Sequence, residues 1–231
     1  PAQDTRPLLP TTRTRIEAMV ILLLLAGLAA QKIVLEPYLS VEHRLRGEAL
    51  LRNGDPFRAS HECLTAYRLD RHNGEAIYCL GLAQFHLNHP EDAAFNFEQA
   101  YRYIVDPLIH FMHARALRQL GDFPAAEKQL LIMKAMLPDN LMPKLALASV
   151  YEQMGRAGDL RAAREDTVAL LERQHHRLGP DYTRMLDIAR LHYALGNMQE
   201  YELWLERARK LKPGTQAPAH HGRPPGSPQF N

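Results

Sequence analysis

Cysteine is scarce in these 231 residues: there are two, Cys63 and Cys79. That excludes a scaffold built on disulfides and any metal site made of four thiolates. Two readings of the pair stay open. It bonds in an oxidising compartment, closing a loop whose constraint is worth roughly 3 kcal/mol, or it packs as two small buried hydrophobes. An excess of one charge is missing too, with 28 Lys and Arg against 26 Asp and Glu. The signs are mixed along the chain, so there is no basic face of the kind a nucleic acid requires. A Gly-rich phosphate loop, an HExxH helix and a nucleophile elbow are all absent. Glu91, Asp92 and Glu98 fall at solvent positions of helices, where charge serves solvation. No catalytic residue, no metal site, no cofactor and no small-molecule substrate are therefore expected. No stretch alternates polar and apolar residues in the manner of a strand.

Long hydrophobic runs are also absent, except one. Ile16 to Leu35 reads IEAMVILLLLAGLAAQKIVL. Its unbroken part, Ala18 to Ala30, is short for a bilayer, which takes roughly 20 helical residues. Ile33, Val34 and Leu35 resume it, and Lys32 can snorkel to a headgroup, so a marginal transmembrane helix is expected over 16–36. Residues 1–15 are Pro- and Thr-rich with Arg6, Arg13 and Arg15, and read as an irregular basic lead-in. Those arginines favour a cytoplasmic amino side, with the rest of the chain on the periplasmic or extracytoplasmic side of an inner membrane. Gly27-Leu28-Ala29 has the small-x-small form of a signal-peptide cleavage site, which keeps a secreted periplasmic protein as an alternative.

From about Val41 to Lys212, apolar residues recur at helical spacing with Gly or Asn between segments. Gly54, Asn88, Gly121, Gly155 and Gly196 follow one another at intervals of 34, 33, 34 and 41. Seven residues before each lies a small residue: Gly47, Gly81, Ala114, Ala148 and Ala189. A period near 34 with this pattern resembles the tetratricopeptide repeat family, membrane-anchored bacterial type. The resemblance covers about residues 40–213. It implies an all-α solenoid of about five helix-turn-helix repeats, near 40–73, 74–106, 107–140, 141–181 and 182–213. Small residues of the second helix follow at Ala59, Ala93 and Ala126, then at Ala66, Ala100 and Ala208, whereas Leu160, Tyr201, Met133 and Thr167 depart. The extra residues of the last interval are placed near 173–181, as a longer second helix and loop. The Pro- and Gly-rich tail, 214–231, is expected to be disordered. The order of basic segment, span and repeats, with MLPDNLMPKLALASVYEQMGR (136–156), also resembles the tail of O-antigen ligase-like polymerases, whose catalytic membrane domain would lie upstream.

In such repeats the first helix of each unit lines a concave surface that binds protein segments. Positions counted back from the turns place Tyr78, Leu82, Phe85, Phe111, Met112, Arg115 and Arg118 there as an apolar strip beside two cations. Cys79, His86 and Gln119, with Arg44, Arg52, Arg190 and Tyr193, fall at related positions. The strip suits an apolar peptide carrying an acidic group. HLNH (86–89) and HFMH (110–113) carry His pairs three apart. Their registers lie about 13 Å apart along neighbouring helices at 1.5 Å per residue. His113 takes a position normally given to a buried Leu, and HH at 175–176 and at 220–221 read as surface. The expected function is a non-catalytic, membrane-anchored scaffold that organises a membrane or envelope complex through a protein partner.

Overall fold

The computed structural model describes residues 12–212, with side chains from Ile16 onward. Among them the regular structure is entirely helical: α1 (Thr12–Ala30), α2 (Glu36–Arg52), α3 (Pro56–Leu69), α4 (Gly74–His86), α5 (Pro90–Ala100), α6 (Pro107–Gln119), α7 (Phe123–Met136), α8 (Leu141–Gln153), α9 (Ala157–Leu178), α10 (Tyr182–Ala194) and α11 (Met198–Leu211). After α1 these form five helix-turn-helix pairs, from α2–α3 to α10–α11. Contacts divide the chain into two compact units, the first ending at Ile104 and the second starting at Val105. The first 11 residues, the 214–231 tail and the histidines at 220–221 lie outside the described residues.

Helix α1 starts at Thr12, inside the stretch expected to be irregular. It does not stop at Ala30. A π-helical turn over Gln31–Leu35 joins it to α2, so one helix runs from the apolar segment into the first pair. EPYLSVEHRLRG (36–47), the stretch between the apolar run and the first repeat turn, is helix throughout. The π turn has a local cause. Pro37 has no N–H for the carbonyl of Ile33, and its ring crowds that carbonyl. A wider turn just upstream, where Glu36 N–H reaches back to Gln31 O, makes room for it. The segment from Ile16 on is long and apolar enough to cross a bilayer, with mean hydropathy 2.3 and nothing of the fold covering it.

Each pair turns on a residue with positive φ: Gly54 (76°), Asn88 (62°), Gly121 (78°), Gly155 (67°) and Gly196 (80°). Asn88 is the one non-glycine with positive φ among the described residues, and its short polar side chain tolerates that region. The same bond closes every turn. Asp55 N–H donates to Leu50 O at 2.9 Å, His89 to Gln84 at 3.0 Å, Asp122 to Leu117 at 2.9 Å, Arg156 to Tyr151 at 3.0 Å and Asn197 to His192 at 2.9 Å. This 6→1 bond ends a helix with its last carbonyls satisfied. At the other end, Asp55, Asn73, Asp106, Asp122, Asn140 and Asp181 accept backbone N–H groups and start the next helix.

In unit 1 the helices of a pair touch at their small residues. A Cβ on Gly81 would stand 2.8 Å from Phe97 Cε1, and one on Gly47 would collide with Cys63 Sγ. Ala59, Ala66, Ala93 and Ala100 are fully buried in the facing helices. Ser40 is buried as well, donating to Ala66 O at 2.8 Å and accepting from Asn73 Nδ2 at 2.9 Å. The cysteines are bonded: Cys63 and Cys79 form a disulfide that ties α3 to α4. Cys79, placed toward the groove by its sequence position, is instead buried in that core, because its partner sulfur lies on the inner side.

Unit 2 keeps the plan with larger residues. Met133 and Thr167 are buried where unit 1 has alanine, and the Thr167 hydroxyl donates to Ala163 O at 2.7 Å. Ala148 is only half-buried. Helix α9 runs for 22 residues against 14 in α7, which absorbs the long last interval. A last cluster of Leu171, Met185, Ile188, Tyr201, Trp204 and Leu205 closes the unit.

Two outcomes follow. Gly81→Val forces Phe97 aside and costs about 1–3 kcal/mol, read as a lower urea midpoint with unchanged slope. Unreduced protein shows no free thiol by mass spectrometry, and Cys63→Ser with Cys79→Ser loses roughly 3 kcal/mol, matching the parent in reductant.

Candidate functional site

The side chains expected to line the groove divide between the units. In unit 1, α4 carries Tyr78, Leu82 and Phe85. Tyr78 is half-buried and tilts against Phe97 with ring centroids 5.7 Å apart. Leu82 is half-buried. Phe85 is 8% exposed and stands edge-on to His86, so it serves the core more than a surface. Arg44 reaches Glu75 at 3.1 Å and also pairs with Glu48, so internal carboxylates already engage it.

In unit 2, Phe111, Arg115 and Arg118 recur at i, i+4 and i+7 on one face of α6. With Ala114, Leu130, Ala146 and Val150 they line a shallow cleft of about 10 Å³. Arg118 crosses it, donating from Nη1 to Ser149 Oγ at 3.4 Å. Met112 is 8% exposed and lies under the guanidinium of Arg115, whose Nη1 approaches its sulfur at 3.7 Å. Burial, and then the like charge of Arg118, lower the pKa of Arg115. An anionic group between the two guanidinium groups would relieve that repulsion. What α6 offers is therefore the half-buried Phe111, Arg115 and Arg118, while Phe85 of α4 and Met112 are buried. Of the outlying positions, Arg52 is exposed, Arg190 pairs with Asp187 at 3.3 Å and Tyr193 packs on Tyr201.

The histidine pairs separate. His86 and His89 are exposed, while His110 Nδ1 lies 2.9 Å from Gln129 Oε1. His113 is 7% exposed. Among the described residues no group of three or more His, Cys, Asp or Glu gathers as metal ligands would. His176 is exposed, but His175 is half-buried with its ring 5.1 Å from Trp204. That corrects the surface reading of His175, because the lengthened α9 lays it against α11.

Sequence inspection missed a charged network. Lys144, 4% exposed, donates to Asp166 at 2.7 Å, and Lys134 reaches the same carboxylate at 2.6 Å. Burial works against ionisation of Asp166, but the two ammonium groups outweigh it and hold its pKa below the usual carboxylate range. Its contribution is present above the unfolded carboxyl pKa and lost as pH falls through the lower folded value. Arg156 makes a similar clasp, to Glu127 at 2.6 Å and Asp159 at 2.7 Å. Only the fold brings Lys144 to Asp166 and Arg156 to Glu127, since these pairs are 22 and 29 positions apart.

Burial, with a smaller push from His110, lowers the pKa of His113 to about 4. The folded state therefore favours neutral His113. Its contribution is whole above the unfolded value near 6.5 and is lost as pH falls toward about 4. His113→Leu is expected to remove the part of the acid destabilisation that falls in this window, measured as urea midpoints from pH 7 to pH 4.

No known family model matches the sequence, and neither does any curated protein. Solved structures do match. PilW, titled a widely conserved type IV pilus biogenesis factor, superposes with TM-score 0.60 at 16% identity, over 90% of this chain and 97% of its own. MamA from Desulfovibrio magneticus RS-1 gives 0.58 at 14% identity, over 77% and 97%. YrrB, titled a TPR protein with an unusual peptide-binding site, gives 0.54 at 14% identity, over 80% and 92%. At such identities the likeness is one of architecture, and it agrees with the repeat spacing and the turn geometry. The chain has the tetratricopeptide-repeat fold.

Proposed function

We propose that this chain is a non-catalytic scaffold anchored by α1 in an inner membrane, with its repeats on the extracytoplasmic side. There it binds a protein segment and helps assemble a membrane or envelope complex. The observation that carries this reading is the disulfide Cys63–Cys79, set in the helix pairs that continue directly from the apolar helix. Disulfides persist in oxidising compartments, which favours repeats outside the cytoplasm. The arginines ahead of the span agree in sign with that orientation. An unbroken helix from the span into α2 leaves no flexible tether. That suits a subunit docking on a neighbouring membrane complex better than one that is secreted. The fold shared with PilW, a pilus biogenesis factor, and with the peptide-binding YrrB supports the same class of role.

The partner segment is apolar with an acidic group, and contacts Phe111, Arg115 and Arg118 of unit 2; Tyr78 and Leu82 of α4 form a candidate surface of unit 1 by itself. Met112 supports Arg115 from beneath. The acidic group meets the two like-charged guanidinium groups and replaces the bridge from Arg118 to Ser149.

Two measurements test the reading. Alkaline phosphatase fused after Lys212 is expected to be active, and β-galactosidase at the same point inactive; the reverse pattern would overturn the topology. Crosslinking in native membranes is expected to capture membrane or envelope proteins, and Arg115→Ala with Arg118→Ala to reduce capture about tenfold. Unchanged capture would sink the groove, and capture of cytosolic proteins alone would sink the scaffold role.

A further inference from the structure

We propose a second recognition site in unit 2, a cleft on the C-terminal extension of α9 that takes an acidic residue of a protein segment. The extension comes from the long interval between Gly155 and Gly196, and it carries α9 past the length of the other helices of its kind. One face of it is pinned. His175 lies edge-on to Trp204 at 5.1 Å, and Arg184 Nη1 donates to Gly179 O at 3.1 Å and Gln174 O at 3.5 Å, satisfying carbonyls at the helix end. Toward the turn before α8, Gln174 Nε2 donates to Asp139 O at 3.3 Å. The helix end is therefore held, not frayed, and between it and that turn lies a cleft of about 240 Å³.

Asp139, Leu170, Arg173, Gln174 and Arg177 line this cleft. Arg173 and Arg177 stand one helical turn apart on the same face. Among the described residues neither makes an ion pair or a hydrogen bond. Two guanidinium groups at this spacing match a carboxylate, and the buried Leu170 offers an apolar floor for the stem that carries it. Asp139 decides between anions. Its carboxylate opposes a doubly charged phosphate, yet it accepts a backbone N–H from a peptide. The mixed lining therefore selects an aspartate or glutamate within a polypeptide over free phosphate or an anionic headgroup. The cleft uses no residue of α6, so it stands or falls apart from the groove.

The test is fluorescence anisotropy of labelled pentaglutamate with the full chain in neutral detergent at low salt. Binding is expected, weakened about tenfold by Arg173→Ala with Arg177→Ala and partly kept by lysine at both positions. Arg115→Ala with Arg118→Ala is expected to leave this cleft's share of binding intact, which separates the two sites. Far-UV melting of the Arg173/Arg177 variant should match the parent, since both side chains are exposed. No binding to the parent, or equal binding to the double variant, overturns the proposal. So does binding of inorganic phosphate or phosphatidylglycerol vesicles through the same two arginines in place of the peptide.

Discussion

The close approach of two helices across a tight turn governs this fold. A positive-φ residue followed by a 6→1 bond reverses the chain so sharply that the helices touch within a few turns. At that contact there is room for hydrogen or methyl. Gly81 against Phe97 and Gly47 against the disulfide sulfurs show the limit, where a single added carbon already collides. The buried alanines of α3 and α5 follow from the same closeness. Because each pair buries only part of its apolar surface, it needs a neighbour. That stacks the pairs within each unit.

The apolar helix extends this logic beyond the repeats. It passes through a π-helical turn into α2, whose Ser40 and Gly47 belong to the core of the first pair. A helix that carries both the apolar segment and core residues of the first pair transmits position without slack. The disulfide then locks the second helix of that pair to the first helix of the next. Mechanical continuity and a covalent tie are concentrated in the same unit, the one that contains the apolar helix.

Much was legible in the residue order. The turn positions could be read because only Gly, or Asn at position 88, tolerates the backbone they require. The small residues could be read because steric exclusion is a property of single positions. Five pairs and a long α9 followed from counting. The helix after the apolar run could not be read, because Pro37 and the charged residues around it suit a loop as well as a helix until the upstream π turn is known. The groove was half legible. Counting from the turns put Phe111, Arg115 and Arg118 on one face of α6, but it could not tell that Phe85 and Met112 turn inward, since exposure depends on neighbours that the spacing does not name.

Local constraints therefore came from the sequence alone: helix periods, turns, close contacts and the apolar run. Tertiary structure decided what depends on distance between residues remote along the chain. It bonded Cys63 to Cys79, gathered Lys134 and Lys144 around Asp166, and packed His175 against Trp204. Backbone sterics act within a few residues and leave a mark at each position, whereas pairing and burial are set by which helix faces which.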